Sequence, residues 1–371
     1  MKKLFLATIL CGVVLLTVAF VSTTSSALKA NFTVGDTQIA SINSLSFGPE
    51  GILFIGDSKN AMIYALDTKD LQTNEKATEI NLAAFDTKIA AALGTTADNV
   101  LITDMAVNPL SKAVYLSVHV TDGTPVLLKL NGENLENVSL KNASYSKIAL
   151  ADPVAEDAKD RRGRSLRLWA IADMKYHKGK VMVTGLSNKE FSSTFRSIPF
   201  PFTNQQDHSS LEIWHAAHGR YETYAPIKAF NIINIDAKDY LMASYTCTPL
   251  VLFPLDELKG GNHIKGRTVA ELGSGNSPLD MISIEKDGKP YFLMSNTNRS
   301  VMRFDYDVIV GFKESLTETV EEFAKAEGVG YVSLPFVNVL QLDNLDAENV
   351  VLLRRTSKGD LVLSSRTKKW M

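Results

Sequence analysis

Asp104-Met105, Asp173-Met174 and Asp280-Met281 repeat one pattern along the 371-residue chain: a carboxylate followed by methionine inside a short apolar run that leads to a turn. Ser44, Asn231 and Asn349 stand near the equivalent place in three further segments. Short oxygen-bearing side chains gathered from several segments can hold a hard cation such as calcium, which is bound through carboxylate, amide and carbonyl oxygens. The metal-site residues singled out for that chemistry are Asp104, Asp173, Asp280 and Asn231. The same side chains can instead accept backbone N–H groups at strand ends and lock neighbouring segments together. Recurrence at one structural place favours that packing role, because structural repeats repeat structural residues.

Two other places carry ligating atoms. Trp214-His215-Ala216-Ala217-His218-Gly219 sets two of the six histidines three residues apart. Positions three apart on a strand face opposite ways, so His215 and His218 can share a ligand only if His218 lies in the turn that Gly219 suggests; isolated surface histidines are the preferred reading. Tyr245-Thr246-Cys247-Thr248-Pro249 puts a thiol in a turn, where a copper or haem partner could reach it, although a free cysteine is more often a buried apolar group. No CxxCH, HExxH, GxSxG, Walker or GxGxxG element occurs in the required context, so no catalytic residue and no nucleotide or haem attachment is assigned.

The elements that must position these residues repeat. Five segments pair an apolar strand with a second one across a turn, as in Ser44–Phe47, the Gly48-Pro49-Glu50-Gly51 turn and Ile52–Ser58. Their starts at Ser44, Asp104, Asp173, Asp280 and Val350 are 60, 69, 107 and 70 residues apart, and the long gap holds a sixth unit around Phe230–Asn234 and Tyr240–Ser244. Short antiparallel strands repeating as a unit describe an all-β fold, a six-bladed β-propeller. A seventh blade follows if the hairpin Leu211–Tyr224 stands alone. Asn31–Ile39 is a spare β-like piece, expected to pair with the last blade and close the ring. Two short helical insertions are expected: Leu82–Leu93, with Asn81 as N-cap and Gly94 past its end, and Ser315–Ala326, with Glu318 completing a capping box. Ala151–Arg167, rich in Asp, Lys and Arg, reads as a solvated loop.

Charge and the N-terminus bound the setting. Thirty-nine Lys+Arg against 41 Asp+Glu give a formal charge of -2, and no basic block extends beyond Lys159–Arg167, so nucleic acid is excluded as a partner. Lys2-Lys3, the apolar run Leu4–Val21 and the small residues Ser25-Ser26-Ala27 have the order of a cleaved signal peptide over 1–27. The remaining 28–371 then form a single propeller domain, secreted or periplasmic, meeting a membrane only if the N-terminal run is retained. Cleavage leaves Cys247 as the single cysteine, so the fold must be held by its core.

Ser46-Phe47-Gly48-Pro49-Glu50-Gly51-Ile52-Leu53-Phe54-Ile55-Gly56-Asp57-Ser58-Lys59-Asn60, together with Val107-Asn108-Pro109 before Val114-Tyr115-Leu116-Ser117, resembles the NHL-type strand-turn-strand. Through it the chain is similar to secreted propellers with NHL or YVTN repeats and to the six-bladed gluconolactonase-like hydrolases. That resemblance implies either a binding or interaction platform for a protein, glycan or small ligand, or a metal-dependent hydrolase or lactonase working at the mouth of the central channel. The hydrolases hold their metal with a glutamate on the first blade. Here Asn43 or Ser44 stands at that position, and Pro278-Leu279-Asp280-Met281 replaces their Pro-Asp-Gly.

Overall fold

The computed structural model describes residues 26–286 and 288–371, so the export segment expected over 1–27 lies, up to residue 25, outside the described residues. Six sheets form the blades of a propeller, antiparallel throughout except where His263–Lys265 runs parallel to Asp207–His215 in the third blade. Numbered by their innermost strands, these begin with Ser44–Phe47, Val100–Val107, Asp173–His177, Ile227–Ile235, Pro278–Lys286 and Val339–Asn344. Among the described residues the α-helices are two short ones, Phe85–Leu93 and Tyr306–Gly311.

Strand alternation explains why whole strands are apolar. All of Ile52–Asp57 is buried, because the sheet is covered on both faces. Ile52 and Phe54 pack with Ile171, Met174 and Val183 of the third blade, whereas Leu53 and Ile55 pack with Ala106, Tyr115 and Leu127 of the second. Successive side chains of a strand point to opposite faces, so each blade contributes to two of the six large apolar clusters. Those clusters lie between blades 1 and 2, 1 and 3, 3 and 4, 4 and 5, 5 and 6, and 6 and 2.

Spatial order therefore departs from chain order: the second and third blades flank the first. After Met62–Asp67 the chain crosses to the rim of the sixth blade, where Asn81–Leu82 pairs with Leu363 and Ser364, and it then enters the second blade. From Asn134–Asn137 it returns to add Ala143–Ala149 to the first blade before moving on to the third. This corrects the expected closure. Thr33–Gly35 pairs with Ala143–Ala149 at the outer edge of the first blade, not with the last blade. The strand that completes the sixth blade is Asn81–Leu82, backed by Ser365 N–H donating to Ile80 O at 2.8 Å.

Several local expectations change for reasons visible in the backbone. Leu211–Tyr224 is not a seventh blade: Asp207–His215 is the fourth strand of the third blade, and Arg220–Glu222 folds back on it. The first helix starts at Phe85 because Asn81 and Leu82 are consumed by the strand, while Gly94, at φ 67°, ends it as expected. Ser315–Ala326 is no helix. Its backbone is taken by cross-blade bonds, with Leu316 N–H on Thr268 O at 2.8 Å and Val320 N–H on Ala216 O at 3.0 Å. It forms an irregular strap over the seam of the third and fourth blades. Ala151–Arg167 is largely solvated, but Arg167 is buried and donates to Val154 O at 2.6 Å.

Candidate functional site

At the channel, one bonding unit repeats around the ring. The Oδ1 atoms of Asp104, Asp173, Asp280 and Asp343 each accept the N–H of the following residue at 2.7 Å. Each Oδ2 accepts an N–H from the next blade: Leu45 at 2.6 Å for Asp104, Phe230 at 3.1 Å for Asp173, Leu342 at 2.9 Å for Asp280 and Val107 at 2.8 Å for Asp343. Ser46 fills the place in the first blade, its Oγ accepting Tyr176 N–H at 3.2 Å. Asn231, in the fourth, accepts Ile232 N–H at 2.8 Å. The oxygens of Asp104, Asp173 and Asp280 thus each accept two backbone N–H groups, one of them across the blade boundary, whereas Asn231 accepts only that of its own neighbour.

Asn349 does not belong to the set; it begins the second strand of the sixth blade and donates to Asp346. Asp343 takes that place. Its signal in the sequence is its spacing, 63 residues after Asp280, obscured because asparagine rather than methionine follows it.

The carboxylates line a cavity of about 360 Å³ with Lys175, Lys112 and Asp346, on the side of the turns that close the innermost hairpins. Burial pushes Asp280 up to about 7 and raises Asp104, Asp173 and Asp343 as well. Burial works against the Lys175 ammonium, but the four carboxylates outweigh it and hold its pKa above the ordinary value. The side-chain nitrogen of Gln341, in the orientation that satisfies its surroundings, bridges Asp280 Oδ2 at 3.1 Å and Asp104 Oδ1 at 3.0 Å.

A second constellation sits at the seam of the third and fourth blades, on the opposite face, where the loops joining second to third strands lie. His215 ends the strand Asp207–His215, and His218 closes the single 3-10 turn Ala216–His218. Gly219 follows at φ 59°, with Thr319 Oγ1 at 2.7 Å from where a Cβ would stand, so a side chain at the reversal would be strained and would displace Thr319. That turn meets the condition set by the sequence: the two imidazoles face each other with centroids 3.8 Å apart. One carboxylate holds both. Glu222 Oε2 bonds His215 Nδ1 at 2.9 Å and Oε1 bonds His218 Nδ1 at 2.7 Å, with Arg220 and Tyr224 adding donors. Burial alone would raise Glu222, yet these bonds, led by the histidines, bring it down to about 2.

Cys247 reaches the same point from the neighbouring blade. Cys247 and Thr248 both adopt left-handed backbone, φ 63° and 64°, in the turn joining the second and third strands of the fourth blade. A ring nitrogen from each histidine and the Cys247 Sγ lie within 4.8 Å of one another. Glu271 Oε2 is 3.9 Å from His215 Nε2 and accepts Ala217 N–H at 3.1 Å. Burial raises the Glu271 carboxyl to about 7. Glu271 could not be found in the sequence, because nothing there brings a strand of one blade to the turn of the next; Glu222, four residues after His218 on the returning strand of the same hairpin, was within local reach and was missed.

No family model matches the chain, and no curated protein matches it. Among solved structures it is similar to the WD40 β-propeller domain of Doa1 at 7% identity, covering 91% of this chain and 96% of that one with a TM-score of 0.34. It is similar to the extracellular domains 1-2 of Drosophila Semaphorin 1b at 9% identity, covering 90% and 86% with a TM-score of 0.39. A glucose dehydrogenase-type oxidoreductase of Thermus thermophilus aligns at 12% identity over 90% and 100% with a TM-score of 0.34.

Proposed function

We propose that this protein is an exported binding platform: the ring is a rigid scaffold, and a protein partner is met at the seam of the third and fourth blades. The observation that carries the reading is the exposure of large aromatic side chains at and beside it, Tyr221 at 49% and Tyr224 at 53% on the third blade and Phe323 at 78% on the strap, where it lies against Gly275 at the entry to the fifth blade. Aromatic residues are enriched in protein interfaces, where they supply large contact area at low entropic cost, and an arginine, here Arg220, often accompanies them. Export is supported by the charge and apolar order of residues 2–27. The test is a Tyr221→Ser, Phe323→Ser double variant. It should melt with the parent protein yet lose a partner that the parent retains from envelope and secreted fractions, with crosslinks mapping to the seam. Retention of that partner by the variant would contradict the reading.

The channel-mouth hydrolase is the competing reading, favoured by four carboxylates facing one cavity with Lys175 and Lys112 as its cations. Against it stand the two backbone N–H groups that each of those carboxylates already accepts. A calcium titration separates the readings. A melting temperature unmoved by calcium fits a packing ring, whereas a rise of several degrees that Asp280→Asn abolishes would establish a cation at the channel.

A further inference from the structure

We propose that His215, His218 and Cys247 bind one borderline-soft d-block ion, zinc or copper, and that Glu222 is the positioning residue that orients both imidazoles. This inference does not rest on the platform reading. Three observations converge. First, Glu222 occupies the Nδ1 atoms of both histidines, which places their protons on Nδ1 and leaves an Nε2 lone pair on each. A carboxylate behind the ring nitrogen that does not coordinate is the usual support of a metal-bound histidine. Here one carboxylate serves two.

Second, His215 Nε2 is buried without a hydrogen-bond partner, on a side chain that is 3% exposed. Glu271 at 3.9 Å is too far to take it, and Glu271 Oε1 is also without a partner. Buried polar atoms are almost always satisfied, so the unpartnered Nε2 of His215 marks a position that a further group completes. Third, the Cys247 Sγ and one ring nitrogen of each histidine lie within 4.8 Å of one another, and the His218 side chain is 40% exposed, which gives an ion a path of entry.

The donor set selects the ion class. Two imidazoles and a thiol do not suit calcium or magnesium, which take oxygen ligands, but match zinc and copper. Binding would release the thiol proton of Cys247, with the ion taking its place on sulfur.

The test uses protein purified from exporting cells, stripped with chelator and titrated separately with Zn²⁺, Co²⁺ and Cu²⁺. Labelling of Cys247 by a thiol reagent, located by peptide mapping, should slow at least tenfold at one equivalent of metal. Co²⁺ should give a thiolate-to-metal charge-transfer band that Cys247→Ser removes. An intense visible band with Cu²⁺ and tighter copper binding would assign copper; tighter zinc binding without it would assign zinc. Glu222→Gln should weaken binding by about 10–100-fold. If that buried change impairs folding, His218→Ala, at a half-exposed side chain, gives the same readout. Labelling and spectra unaffected by all three metals, or metal binding that survives both Cys247→Ser and His218→Ala, would overturn the proposal.

Discussion

Replacing Asp280 by asparagine should reverse its effect on stability across the pH range. In the folded protein burial raises this carboxyl from 3.8 to about 7. Below pH 3.8 the group is protonated in both states, and its contribution to folding is fully present. As pH rises through 7 the folded protein must ionise it inside the channel, and that contribution is lost. The interval corresponds to about 4 kcal/mol at 1.36 kcal/mol per pH unit, an upper value because Asp104, Asp173 and Asp343 titrate with it. Asparagine keeps one acceptor for the Met281 and Leu342 N–H groups and loses the other, a cost of about 1 kcal/mol. The variant should therefore be about 1 kcal/mol less stable than the parent near pH 4 and up to about 3 kcal/mol more stable at pH 8. Urea unfolding at both pH values without added metal measures this. A variant destabilised equally at pH 4 and pH 8 would refute the assignment of strain to the ionised channel carboxylate.

Ring closure by Asn81–Leu82 predicts that Ile80→Asp, at a buried position packed with Leu345 and Leu363, costs about 3 kcal/mol or more. Val34→Asp, on the strand whose sequence alone suggested closure, should change stability by less than about 0.5 kcal/mol, since Val34 is exposed; comparable losses in urea would contradict the observed closure. Arg196 is fully buried with Nε and Nη1 unpartnered, and Nη2 bonded to Ala151 O at 3.1 Å. Arg196→Met should thus leave the melting temperature unchanged or raise it, because a buried cation offset only by the half-exposed Asp152 carboxylate is costly; a large drop would show that Asp152 and Ala151 O compensate the guanidinium. Gly219→Ala should cost about 1–2 kcal/mol through its φ of 59° and the Thr319 contact, and should weaken metal binding by displacing His218. An unchanged affinity would separate the turn from the site.

The blades were legible in the sequence because each is a local object: Ile52–Asp57 and Tyr291–Ser295 carry apolar runs bounded by turns. Ring order was not, since nothing local tells Ala143–Ala149 to return to the first blade or Asn81–Leu82 to serve the sixth. Both pairings are long-range, fixed by edges that only the assembled sheets expose. The strap over Ser315–Ala326 misled for a related reason: a helical pattern of residues yielded to backbone partners on two other strands. At the site, the condition that His218 lie in a turn is met, but the preferred reading of isolated surface histidines is not, because His215 is buried. The meeting of that turn with Cys247 was not visible, because the thiol comes from another blade.

Elemental analysis of the purified protein beside its Cys247→Ser, His218→Ala double variant tests the central claim most directly. After exposure to zinc or copper and removal of loosely held ions, the parent should retain one metal ion per chain and the double variant essentially none, at unchanged melting temperature for the metal-free forms. Metal absent from the parent, or retained equally by both, would contradict it.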